Sequence, residues 1–260
     1  PSVLVENPSD GTVTNEPPFN ENLAGWFVRE NMPTPRVVLG VGAALERIYA
    51  IGGRQDVNAL ATNEEYSPAL DEWTEKAPMI TGRLSLGLGV IDSRIYACGG
   101  WNGTEEISTV EVYDPVTNTW ETRADMLSPR AGHTITALNG KLYAFGGSTA
   151  NTIYDYTEVY DPVTDTWASL SPMPSGREYC ASAAHDGKIF VIGGRRSLFD
   201  FSSAVEIYDP LTDTWSYGTD MPTPRSTVAA GTVQDKIYVT GGFNYGVQGS
   251  EALTLSEVCS

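Results

Sequence analysis

Residues 111–120 read EVYDPVTNTW, and the pattern returns as EVYDPVTDTW at 158–167 and EIYDPLTDTW at 206–215. EEYSPALDEW at 64–73 is a looser copy. Each copy runs from an alternating Glu-x-Tyr stretch through a Pro turn to a Trp. Asp suits the first position of a type I turn and Pro presets φ at the second, so the pattern reads as two strands joined by a tight turn. Outward from it, Trp26, Trp73, Trp120, Trp167 and Trp215 keep steps of 47, 47, 47 and 48 residues. Arg36, Arg83, Arg130, Arg177 and Arg225 keep the same steps, each ten residues after its Trp. Gly pairs at 52–53, 99–100, 146–147, 193–194 and 241–242 close the runs RIYAIGG, RIYACGG, KLYAFGG, KIFVIGG and KIYVTGG. A period this regular marks tandem structural units.

One unit can be read from Arg83. Residues 84–91 form a Gly-broken apolar strand, Asp92-Ser93 a turn, and 94–98 a second strand. A variable polar loop follows the Gly pair. Residues 109–113 make a third strand, Asp114-Pro115-Val116-Thr117 a turn, and 119–122 a fourth. The period-2 alternation carries apolar residues on both faces, as a sheet packed between two neighbours requires. Four strands per repeat of about 47 residues predict an all-β chain folded as a β-propeller.

The Gly pair ending the second strand, the Tyr of the third and the Trp seven residues later resemble the kelch repeat, over residues 26–260. The resemblance implies a single kelch propeller of five four-stranded blades, closed by the N-terminal strand around Trp26. Trp26 has no full set of strands before it, and the last repeat lacks a fourth strand, so Trp26–Glu30 is expected in the last sheet. That would leave no open edge. Three segments compete for the third strand of that sheet: residues 256–260 with Cys259 in the Tyr position, residues 3–8, and the stretch around Phe19. Residues 1–25, with four Pro, four acidic residues and no Lys or Arg, are expected to form an acidic arm on the surface.

Sixteen Lys and Arg against 33 Asp and Glu give a net charge of −17, which argues against nucleic acid and anionic membrane surfaces as partners. At 41% hydrophobic and 19% charged, the chain can bury a core. No apolar run approaches the roughly 18 residues of a membrane-spanning helix. Cys98, Cys180 and Cys259 form no zinc pattern; they read as buried thiols, with one Cys98–Cys180 bridge as the alternative. The acidity slightly favours a secreted or lumenal setting over the cytoplasm, and the compartment is otherwise unreadable.

Loops alternate between the two ends of a meander, so the lead-in to the first strand and the exit from the second should share one mouth. Arg36, Arg83, Arg130, Arg177 and Arg225 are expected to ring that mouth, a positive focus for carboxylates in an acidic protein. The competing reading pairs each Arg with Glu64, Glu111, Glu158 or Glu206, which keep the same phase. The loops after the Gly pairs break the repeat and mark recognition instead: Arg54, Trp101, Arg195, Arg196, Phe243 and Tyr245 lie in them, with Tyr154, Tyr156, Phe199 and Phe201 nearby. Aromatics mixed with Arg describe a binding surface.

Catalytic patterns are thin. His133 and His185 take phases held elsewhere by aliphatic residues and read as interior side chains. The copper oxidases that resemble galactose oxidase share this fold, but need two His and two Tyr at one metal, which these positions do not supply. No serine-hydrolase, zinc-protease or phosphate-loop motif occurs, so no cofactor and no metal is expected. Paired carboxylates are set by space and not spacing, and stay open.

The repeats resemble the substrate-binding kelch domains of BTB-kelch ubiquitin-ligase adaptors, which use an Arg-lined mouth to hold acidic peptides. That resemblance implies a non-enzymatic scaffold binding a protein partner or acidic peptide. One alternative is a carbohydrate-binding propeller or a sugar epimerase resembling the sialic-acid mutarotases. Another is a structural subunit of a larger assembly.

Overall fold

The computed structural model describes residues 3–6, 13–16, 28–150, 152–246, 249–252 and 256–259, with side chains for 28–150 and 152–244. Four sheets repeat one antiparallel four-stranded order. The first holds Gly40–Ala44, Arg47–Ile51, Asn63–Ser67 and Glu72–Lys76. The second holds Gly87–Ile91, Arg94–Cys98, Val110–Asp114 and Thr119–Arg123. The third runs from Thr134–Leu138 to Thr166–Ser169, and the fourth from Ala181–His185 to Thr214–Tyr217. A fifth sheet has three strands among the described residues: Ala229–Val233, Lys236–Thr240 and Ser256–Cys259. The innermost strands pack against one another in chain order, as propeller blades do.

The first strand is shorter than its apolar run. It begins at Gly87 because Ser85 takes φ +51, which interrupts the extended backbone. The third strand of the last sheet comes from the C-terminal segment. Ile237 pairs with Cys259 and Val239 with Glu257, the register in which Ile95 pairs with Tyr113 and Ala97 with Glu111. Val3–Glu6 is not in that slot; it pairs with Val13–Glu16 in a separate hairpin. Phe19 and the Trp26 closure lie outside the described residues.

Sheets stack through alternate faces of their second strands. Tyr49 faces the second sheet, with its ring 5.8 Å from that of Tyr113 and in one buried cluster with Ile95. Tyr143 likewise joins Ile189 and Tyr208 of the fourth sheet. Fully burying one such aliphatic or aromatic side chain contributes about 1.5–3 kcal/mol. The repeat Trp rows add a polar tie across each joint: Trp73, Trp120, Trp167 and Trp215 donate Nε1–H to the carbonyls of Glu30, Ala77, Ala124 and Ser171. Buried indoles need such a partner.

Candidate functional site

The mouth follows from how each meander folds back. Isolated antiparallel bridges join Val37 to Arg54, Leu84 to Trp101, Ala131 to Ser148, Glu178 to Arg195 and Ser226 to Phe243. The residue after each Arg therefore lies beside the residue after each Gly pair, once per sheet. The next residues, Val38, Ser85, Gly132, Tyr179 and Thr227, all take positive φ between +51 and +65. That turn lets each reach its neighbour across the axis. Ser85 donates its N–H to the Val38 carbonyl at 2.9 Å, Gly132 to Ser85 at 2.8 Å, Tyr179 to Gly132 at 2.7 Å and Thr227 to Tyr179 at 2.8 Å. This staircase floors the mouth around a cavity of about 200 Å³ that His133, Tyr179 and Cys180 help to line.

Above the floor, a groove of about 770 Å³ crosses the second to fourth sheets, lined among others by Trp101, Ser148, Glu178, Tyr179, Arg195 and Arg196. Glu178 is 8% exposed and organises it. Arg195 gives Nε–H and Nη2–H to Glu178 Oε1, both at 2.8 Å, and its guanidinium carbon lies 5.1 Å from the Tyr179 ring centre. Such a cation over an aromatic face adds attraction of about 0.5–1 kcal/mol or more. The Ser148 hydroxyl donates to the other oxygen of Glu178.

The loop residues singled out from the sequence sit at this end, with differing surroundings. Trp101 is half-buried and bridges both Leu84 and Glu106. Arg54 is exposed, and among the described residues its guanidinium has no ion-pair partner. Arg196 is tied to Asp200 through Nε at 3.0 Å and Nη2 at 2.9 Å. Phe243 packs near Phe201, with ring centres 5.9 Å apart. The Tyr245 backbone is in the strand Phe243–Gly246, and its side chain is outside the described residues.

The repeat arginines correct the expectation of an exposed positive ring. Arg83, Arg130, Arg177 and Arg225 are 0% exposed and Arg36 is 9% exposed. Arg36 meets Glu64 at 2.5 Å, Arg130 meets Glu158 at 2.9 Å, Arg177 meets Glu206 at 2.5 Å, and Arg83 pairs with Glu111. At Arg83 and Arg177 further donors reach backbone carbonyls. Arg83 Nη1 reaches the carbonyls of Gly99 at 3.2 Å and Thr109 at 2.7 Å; Arg177 Nη1 reaches those of Gly193 and Ala204, each at 3.2 Å. Matching both charge and donors offsets the cost of burying a guanidinium, as at Arg83 and Arg177, whose carbonyl partners lie in the Gly pair and at the entry to the third strand; at Arg130 the charge is matched by Glu158 while Nε and Nη2 have no hydrogen-bond partner among the described residues. The arginines fasten the second and third strands under the mouth; they do not line it. Burial lowers the basicity of Arg83 and Arg130 and raises the pKa of Glu158, in each case against the pull of its ion-pair partner.

His133 is buried, and burial together with the Arg130 charge pushes its pKa down to about 3, so it is neutral. His185 is half-buried beside Phe190. Cys98 and Cys180 are free thiols, buried, in different sheets; desolvation pushes them up to about 12 and about 11. Among the described residues, no group of three or more His, Cys, Asp and Glu side chains converges as a metal site would.

Glu178 and Tyr179 escaped the sequence reading. Their signal is a departure from the repeat: the two residues after each Arg are Val37-Val38, Leu84-Ser85, Ala131-Gly132 and Ser226-Thr227 in the other units. Only the fourth unit puts an acid and an aromatic there.

Comparison with known proteins agrees with this geometry. A solved structure described as "Structure of YjhT" superposes with a TM-score of 0.72 at 21% identity, covering 84% of this chain and 75% of that one. At that identity the likeness concerns the fold alone. None of the curated proteins matches the chain. The KLHDC2/KLHL20/DRC7 Kelch-repeats domain profile matches residues 25–194 and, in a second overlapping match, 121–242. The tandem sheets, the Arg–Glu fastening in four of them and this match over more than half of the sequence establish that the chain belongs to the kelch-repeat family.

Proposed function

We propose that this propeller is a non-enzymatic interaction scaffold that holds an acidic segment of a partner protein in the groove over its second to fourth sheets. The observation that carries the reading is the row of five bridges, which brings one non-repeating residue from every sheet to the same mouth. Trp101 and Tyr179 supply flat apolar area, and aromatic anchors with Arg dominate protein interfaces. Arg195 spends Nε and Nη2 on Glu178, which leaves Nη1 for a carboxylate of the partner. Arg54 adds a second cation on the rim. Residues 26–260 act in this as one domain, with 1–25 as its arm.

The same Trp101, Tyr179 and Arg195 suit a sugar acid, with its ring on an aromatic face and its carboxylate on the guanidinium. Affinity capture from the native source, followed by fluorescence titration of the captured partner's acidic segments, separates the readings. Trp101→Ala should weaken the peptide complex at least tenfold and Arg54→Ala should weaken it measurably, each with little change in melting temperature. Saturable binding on a glycan array, or mutarotation of a sialic acid, with no peptide binding, would replace the scaffold with the sugar reading.

A further inference from the structure

Two spaces at the mouth share a wall. The axial cavity of about 200 Å³ and the groove of about 770 Å³ are both lined by Ser85 and Tyr179. The Tyr179 ring lies against Gly132: a Cβ there would be 3.2 Å from Cε1 and 3.3 Å from Cζ. The first, second and fifth units carry Val38, Ser85 and Thr227 at the position of Gly132, so the missing side chain is what gives the ring its place. Arg195 lies 5.1 Å from the centre of the same ring. Tyr179 therefore stands between the cation of the groove and the cavity on the axis.

The two spaces differ in charge. The groove carries Glu106, Glu178, Arg195 and Arg196. The cavity is walled by the aliphatic Leu39, Leu86 and Val228. Its His133 and Cys180 are uncharged: burial, helped by the Arg130 charge, pushes the imidazole down to about 3, and burial pushes the thiol up to about 11. An apolar cavity of about 150 Å³ takes up benzene, so this one has room for a branched aliphatic side chain or a ring. We propose that the axial cavity is an uncharged subsite of the groove, receiving the large apolar side chain next to a ligand's carboxylate while the carboxylate stays in the groove at Arg195. The inference rests on the groove reading above and adds to it: the recognised segment pairs an acid with a bulky apolar neighbour, and Ser85 and Tyr179 mark the passage between the two.

Two probe series test this on the full chain: carboxylates from propanoate to 4-methylpentanoate, and the matching primary amides, titrated by NMR. Affinity should rise roughly threefold or more per added methylene in both series. The methyl groups of the 4-methylpentanoyl probes should show NOEs to those of Leu39, Leu86 and Val228. Cys180→Leu places in the cavity wall the residue that the first and second units carry at this position. It should weaken 4-methylpentanamide at least fivefold and leave propanoate within twofold, with the melting temperature read alongside. Should that variant not fold, the NOE pattern of the parent decides. Absent binding, affinity that is flat with chain length in both series, or NOEs instead to Val41 and Ile135, farther along the first strands, would overturn the subsite. Equal affinity of each acid and its amide, with the chain-length dependence intact, would count against the carboxylate contact of the groove reading and leave the subsite standing.

Discussion

Trp167 Nε1 donates to the Ala124 carbonyl at 3.0 Å, and two residues earlier Asp165 Oδ1 accepts the N–H of the same Ala124 at 3.0 Å. Both backbone polar groups of Ala124, just after the last strand of the second sheet, are thus held by the third sheet. Asn118 and Trp120 hold Ala77 in the same way, and Asp213 and Trp215 hold Ser171. The gripping Asp or Asn also accepts the hydroxyl of its own sheet's Tyr, as Asp165 does from Tyr160 at 2.7 Å. The YDPxTxTW stretch is therefore the joint between sheets as well as a hairpin.

Removing the joint should separate packing from hydrogen bonding. Trp167 is 8% exposed and packs against Tyr160, with ring centres 5.2 Å apart. Trp167→Ala should destabilise the protein by about 3–5 kcal/mol. Trp167→Phe keeps most of the apolar area and loses the tie, at about 0.5–1.5 kcal/mol. Urea unfolding followed by circular dichroism measures both, and equal losses would mean that the hydrogen bond outweighs the ring.

The joints also set the response to acid. The Ala124 N–H and then the Tyr160 hydroxyl hold the Asp165 carboxyl below its usual range; at Asp71 the Tyr66 hydroxyl and then the Glu30 N–H do the same. A depressed folded pKa contributes stability above the unfolded value of about 3.9 and loses it as pH falls through the folded value. Asn118 occupies this position naturally without a charge. The double variant Asp71→Asn, Asp165→Asn should therefore lose melting temperature less steeply between pH 5 and pH 2 than the parent. Parallel slopes in thermal melts across that range would remove these two carboxylates as the cause.

Buried pairing of the arginines makes a prediction opposite to that of a ligand ring. Glu111 also accepts the N–H groups of Ile80 at 2.7 Å and Thr81 at 3.0 Å, so it holds the lead-in to Arg83 as well as Arg83 itself. Arg83→Ala or Glu111→Ala alone leaves a buried charge unmatched and should cost about 3–5 kcal/mol. The double variant should cost clearly less than the sum. A double-mutant cycle by urea unfolding checks this, and additive losses would argue that the two side chains act independently.

The arginine row shows where sequence reading stops. Spacing placed all five arginines at one end of their sheets, and the bridges from Val37 to Arg54 and from Ser226 to Phe243 put them there. Spacing does not give depth along the side chain. Whether a guanidinium points to solvent or folds under the turn depends on whether an acid two strands away can reach it, as Glu158 reaches Arg130. The hairpins and the burial of His133 are local or periodic and legible; the sequence offers three segments for the third strand of the last sheet, and pairing with Lys236–Thr240 selects Ser256–Cys259. The Glu178–Arg195–Tyr179 cluster joins Arg195 to residues 16 and 17 positions earlier through a bridge between strands, and leaves no periodic trace.

Desolvation makes the two buried thiols reporters of unfolding. Cys98 is 0% exposed and Cys180 7% exposed, and both are held well above the ordinary thiol range. The thiolate is the reactive form. In a Cys259→Ser background at pH 8, labelling by a thiol reagent should be slow in the native protein and rise with urea along the circular dichroism transition. Rapid labelling in the absence of urea would show that one of the two sites opens locally.

Backbone crowding at the Gly pairs can be isolated by comparing two glycines of similar φ. Gly99 has φ +56, and a Cβ there would lie 2.8 Å from the Arg130 carbonyl, which accepts the Gly100 N–H. Gly140 has φ +72, with nothing within 4 Å of such a Cβ. Gly140→Ala should lose only the left-handed backbone penalty of about 1–2 kcal/mol. Gly99→Ala incurs the same penalty and must also push the Arg130 backbone away from the second sheet, so its loss should be the larger by urea unfolding. Equal losses would show that the space beside Gly99 gives way freely, and that the Gly pair is kept for its dihedral angles and not for the close passage of the neighbouring sheet.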